Sequence, residues 1–65
     1  MEEKQRVHYR DFETGKKRYT TGTVKVKEQQ WLGVPGIKVV YVTRPGGTTI
    51  IPEWNLLPES RHLLK

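Results

Sequence analysis

The chain should fold as an all-β domain. Stretches rich in β-branched and aromatic residues recur along it, at 6–10, 18–27, 37–42 and 48–51, and such residues suit a pleated, half-buried surface. The first two stretches alternate polar and apolar residues with the strand period of two. Turn formers separate the stretches, above all Arg44-Pro45-Gly46-Gly47. There Pro presets φ at about −65° and a Gly accepts φ > 0, which is the chemistry of a type II turn.

Met1 to Gln5 is polar and is expected to be a flexible N-terminus, leaving 6–65 as a single domain. In Arg6-Val7-His8-Tyr9-Arg10 the alternation places Val7 and Tyr9 on one face of a first strand. Asp11 to Lys17 reads as a polar, conformationally free loop with Phe12 folded back onto the body. Arg18 to Lys27 is a second, longer strand, with Val24 and Val26 on one face and Lys25 and Lys27 on the other. Gly22 inside it marks a bulge or sharp bend, as the corner of a small barrel requires. Glu28 to Pro35 reads as a connector carrying Trp31, Leu32 and Gly33, and Val34-Pro35-Gly36 as another turn. Ile37 to Val42 and Thr48 to Ile51 then form a hairpin, stopped by Pro52, which cannot donate to a ladder. Glu53 to Leu57 has room for a single helical turn before Pro58. The tail from Glu59 to Lys65 reads equally as a last strand or a short helical segment.

Sixty-five residues make one domain near the lower limit for folding alone. With no cysteine there is no disulfide or thiolate–zinc site, and His8 and His62 lie at opposite ends without ligand-like spacing. No metal or cofactor is therefore expected, and stability must come from a small core or from self-association. No run approaches the roughly 20 apolar residues of a membrane helix, and Met1-Glu2-Glu3-Lys4 lacks an apolar signal core. An intracellular protein with no membrane partner is expected. Twelve Lys and Arg against seven Asp and Glu give a formal charge of +5, which favours polyanionic partners such as nucleic acid.

The order of strands, tight turns and one late helical turn resembles a five-stranded SH3-like (Src-homology-type) barrel with a short helical turn before the last strand. The frame Gly22-Thr23-Val24, Ile37 to Val42, Ile50-Ile51-Pro52 and Leu56 is similar to that of Tudor-like barrels. Arg6 to Asp11 with Gly22-Thr23-Val24 resembles the C-terminal DNA-binding barrels of integrases. Pro45-Gly46-x-x-x-Ile50-x-Pro52 is similar in spacing to the type II dihydrofolate reductases, multimeric enzymes with the same barrel. Where that family carries a Val-Gln-Ile-Tyr pore segment, this chain reads Thr48-Thr49-Ile50-Ile51. The resemblances share a fold and not a function.

The most informative cluster is Lys16-Lys17-Arg18 followed by Lys25 and Lys27, with no carboxylate between Thr14 and Lys27. Such cations neutralise successive phosphates without reading sequence, and Lys38 and Arg44 extend the set if the third strand lies beside the second. Tyr19 and Trp31 are the candidate stacking rings for bases, whereas Tyr41 and Trp54 are assigned to the core. Ser60 and His62 belong to no recognisable triad, Asp11 and Glu13 read as a solvated loop pair, and Gly46-Gly47 is explained by its turn. Ile50 and Ile51 face opposite sides of a strand, so one points outward, either toward an interface or under the tail. The expectation is a non-catalytic module binding DNA through its basic strand and loop. The first alternative is a peptide- or methyl-lysine-binding Tudor-like module that self-associates, and the second a multimeric reductase-like enzyme.

Overall fold

The computed structural model describes residues 4–64. Four strands pair antiparallel in chain order: β1 (Lys4–Arg10), β2 (Lys17–Trp31), β3 (Val34–Arg44) and β4 (Gly47–Pro52). The all-β class is as expected. The expected flexible N-terminus lies partly outside the described residues, while Lys4 and Gln5 belong to β1, opposite Thr23 and Gly22.

Among the described residues the fifth strand and the closed barrel are not found. The sheet is open, and the chain after β4 forms two 3-10 segments, Glu53–Asn55 and Pro58–Leu64. The reason is local. Pro52 and Pro58 lack an N–H and bracket a stretch too short for a ladder, and among the described residues a single isolated bridge forms, Tyr9 to Leu56. Around it the C-terminal segment fastens the outer edge of β1 by single contacts. The Leu57 N–H donates to the His8 carbonyl (3.0 Å), and the His8 N–H donates to Ser60 Oγ (2.8 Å). Asn55 Nδ2 donates to the Arg10 carbonyl at 2.9 Å.

β2 runs further than its sequence pattern indicates, because Glu28 to Trp31 is strand and not connector. The chain reverses at Leu32-Gly33, with φ of 49° and 82°. Positive φ at both central residues of a two-residue loop matches the right-handed twist of the flanking strands. Val34-Pro35-Gly36 is accordingly the start of β3, and the register shifts between Gln29 and Trp31. A leucine at positive φ costs roughly 1–2 kcal/mol. Replacing Leu32 with Asn, which tolerates this region, should raise stability by about 1 kcal/mol. An unchanged urea midpoint would show that the turn relaxes at no cost.

The main core cluster lies on one face of the sheet, while Ile37, Val39 and Pro52 are buried on the other. Val7, Val40, Val42, Ile51 and Leu56 are buried together, with Tyr9, Val24, Leu63 and Leu64 packed against them. Fifteen residues of straight strand would span about 50 Å. The longest dimension of the molecule is 34 Å, so β2 must bend around this core. Gly22 sits where the β3 backbone comes closest: a Cβ there would lie 2.4 Å from the Thr43 carbonyl oxygen. The bend leaves the apolar face of β2 concave and its opposite face convex.

The Asp11–Lys16 loop is tightly tied. Asp11 N–H donates to the Lys16 carbonyl (2.8 Å) and Gly15 N–H to the Asp11 carbonyl (3.0 Å). Phe12 is exposed, against the expectation that it folds back. Self-bonding by the Asp side chain holds the turn without it.

Candidate nucleic-acid interface

Residues directly opposite one another in an antiparallel sheet share a face, so the register sorts the cations. His8 lies opposite Tyr19, Arg6 opposite Thr21, and Arg10 opposite Lys17. Further along β2, Lys25 lies opposite Tyr41 and Lys27 opposite Val39. Period-two alternation then places Lys4, Arg6 and Arg10 of β1 and Lys17, Lys25 and Lys27 of β2 on the convex face, and all are exposed. Among the described strands the only carboxylate is Glu28, which has the opposite parity and pairs across from Lys38.

Rings and cations interleave on this face. The Arg6 guanidinium lies 4.9 Å from the Tyr19 ring centroid, and the Lys27 ammonium 5.3 Å from that of Tyr41. Both are within cation–π range. His8 packs tilted against Tyr19, with ring centroids 5.9 Å apart. The Tyr41 hydroxyl donates to Gln29 Oε1, which fixes the half-buried ring on the convex side rather than in the core. Val39, fully buried, lies between Lys27 and Pro52 in the pairing register.

The other candidate cations are directed elsewhere. Arg18 alternates with Lys17 onto the opposite face, where its Nε meets Asp11 Oδ2 at 2.9 Å. The Thr14 and Glu13 amides (3.0 and 2.8 Å to Oδ1), together with Arg18, hold the Asp11 carboxyl below its ordinary value of 3.8. Lys38 Nζ donates to the Leu64 carbonyl at 3.2 Å, and Arg44 Nη1 donates to Thr20 Oγ1. Lys16 stands in the turn beside Lys17, at the end of the convex face. The arrangement thus puts Lys17, with Lys16 beside it, at the start of β2 and Lys25 with Lys27 further along the same face, and separates Arg18, Lys38 and Arg44 from them.

Of the candidate rings, Tyr19 is well exposed, at 62%. Trp31 is half-buried, and its indole N–H is shielded from solvent without an acceptor among the described residues. Trp54, expected in the core, is 48% exposed, since the short 3-10 turn after Pro52 carries it past the end of β4.

No family model, curated protein or solved structure matches this chain. The reading of the face therefore rests on its own chemistry. Among the described residues no three metal-ligating side chains converge and no concave pocket is formed. No described helix is long and apolar enough to cross a membrane.

Sequence reasoning left out Arg6 and Arg10. Their alternation with Val7 and Tyr9 signalled a common outward side, but only the pairing of β1 with β2 brings that side against Tyr19.

Proposed function

We propose that this chain is a non-catalytic module that binds DNA through the convex face of β1 and β2. The observation supporting it is the segregation of charge. The strand cations Arg6, Arg10, Lys17, Lys25 and Lys27 share a face that holds no strand carboxylate among the described residues. A convex ridge of this kind places point charges along a phosphate backbone while making few base contacts, so affinity is expected to be salt-dependent and weakly sequence-selective. Tyr19, beside Arg6, offers the exposed ring edge on that ridge.

The finer fold reading accompanies this one. An SH3-like path is compatible with the four-stranded meander, the 3-10 turn after β4 and the Tyr9–Leu56 bridge, with that bridge standing in for a fifth strand. A methyl-lysine cage has less support, because Tyr19 and Tyr41 each already face a cation of this chain.

Replacing Lys25 and Lys27 together by Ala should weaken binding to a short duplex. It should also reduce the slope of log affinity against log salt by about 2. Replacing Lys38 and Arg44 should leave that slope unchanged. Fluorescence anisotropy at several salt concentrations makes both measurements, and equal slopes for the parent and the Lys25/Lys27 variant would remove the assignment.

A further inference from the structure

β4 is the last strand of the sheet, and no described strand pairs with its outer side. Natural edges are usually kept single by charged side chains, bulges or proline. From Gly47 to Ile51 there is no charged residue, and the register with β3 runs unbroken from Arg44–Gly47 to Val39–Pro52. Only Pro52, at one end, blunts the edge.

The hydrogen-bonding direction of this edge follows from its turn. Pro45-Gly46 is a two-residue connection with Arg44 opposite Gly47, so that pair exchanges backbone hydrogen bonds and the pattern alternates from there. Thr48, Ile50 and Pro52 are then the residues whose backbone groups face away from β3. Pro52 fits this parity, since it has no N–H to give. Ile50, opposite Tyr41 on the convex side, is 38% exposed.

We propose that two copies of the chain join along this edge, β4 antiparallel to β4 about a two-fold axis through Ile50. In that register Ile50 meets its counterpart and the two exchange a pair of backbone hydrogen bonds. At each end a Thr48 N–H reaches the Pro52 carbonyl of the second copy. A two-fold contact requires a patch that tolerates itself, and this edge meets that requirement. Despite a chain charge of +5, no like charges are brought opposite one another along it. The same register carries the exposed Trp54 toward the second copy's Pro45–Gly46 turn, where nothing lies within 4 Å of a Cβ position on Gly46. A heterologous peptide strand would need side pockets along the edge to be selected, and no described pocket flanks it. For a domain this small, the added burial supplements a limited core. The inference does not depend on the nucleic-acid reading.

Sedimentation of the full chain across concentration, with amide hydrogen exchange, tests it. The expected result is a concentration-dependent mass approaching twice 7.6 kDa, with the Thr48 and Ile50 amides protected. Ile50→Lys should give a monomer with an unchanged circular dichroism spectrum. Thr48→Pro, which removes only an outward N–H, should do the same. A parent that stays monomeric at millimolar concentration overturns the proposal, as does a dimer in which those two amides exchange freely. Persistence of the dimer in folded Ile50→Lys would also overturn it.

Discussion

Gly22→Ala should cost the chain most or all of its stability. A Cβ at this position would stand 2.4 Å from the Thr43 carbonyl oxygen, and 3.0 Å from both the Thr43 carbonyl carbon and Val42 Cγ1. The nearest obstacle is backbone and not the end of a flexible side chain. Thr43 is paired with Thr23 on one side and Thr48 on the other, so it cannot retreat without disturbing both ladders. Overpacking costs about 1–3 kcal/mol when neighbours can adjust, and a clash with a doubly paired backbone should exceed that range. A chain of this length has roughly 3–10 kcal/mol of total stability. The expected result is an unfolded or molten variant by circular dichroism, or one whose urea midpoint collapses. Gly46→Ala, where nothing lies within 4 Å and φ is not positive, is the control and should be close to neutral. A Gly22→Ala protein melting within a few degrees of the parent would mean that β2 does not pass this close to β3.

The strands were legible in the sequence where period-two alternation and β-branched residues agreed, as in Val7/Tyr9 and Val24/Val26. The β2–β3 turn was not, because two conflicting signals lay side by side. Pro35-Gly36 has strong turn chemistry, whereas Leu32-Gly33 lacks the Asn or Gly expected at the first position with positive φ. Pairing of Gln29 with Ile37 and Trp31 with Val34 overrides the local preference and puts Pro35 and Gly36 inside β3. The fifth strand that the barrel resemblance implies is absent among the described residues for a related reason. Single backbone and side-chain bonds hold the C-terminal segment to β1, and such tertiary contacts leave no periodic trace.

For the site, alternation within β2 was enough to place Lys25 and Lys27 together on the convex side. The same rule separates Lys17 from Arg18, a distinction lost when adjacent cations are grouped as one cluster. Lys38 and Arg44 required the β2–β3 register, which sets Lys38 against Glu28 on the concave side. Register is fixed by long-range pairing, and a single sequence does not print it.

Ser60→Ala tests whether the C-terminal segment supplies what the missing strand does not. Ser60 is 1% exposed, and its hydroxyl accepts the His8 N–H at 2.8 Å. Alanine would leave that part-buried N–H without its partner, at a cost of about 1 kcal/mol. The loss falls on the outer edge of β1, where the only other bond at His8 on this side is that of its carbonyl with Leu57. Exchange at the His8 amide should therefore accelerate and residues 56–64 should loosen, while the amides shared by β2, β3 and β4 keep their protection. Glu59→Ala, one residue earlier and exposed, should change neither. If His8 exchange in Ser60→Ala matched that of the parent, the edge of β1 would be protected by something other than this hydroxyl. The 3-10 tail would then be a passenger on the sheet and not the element that finishes it.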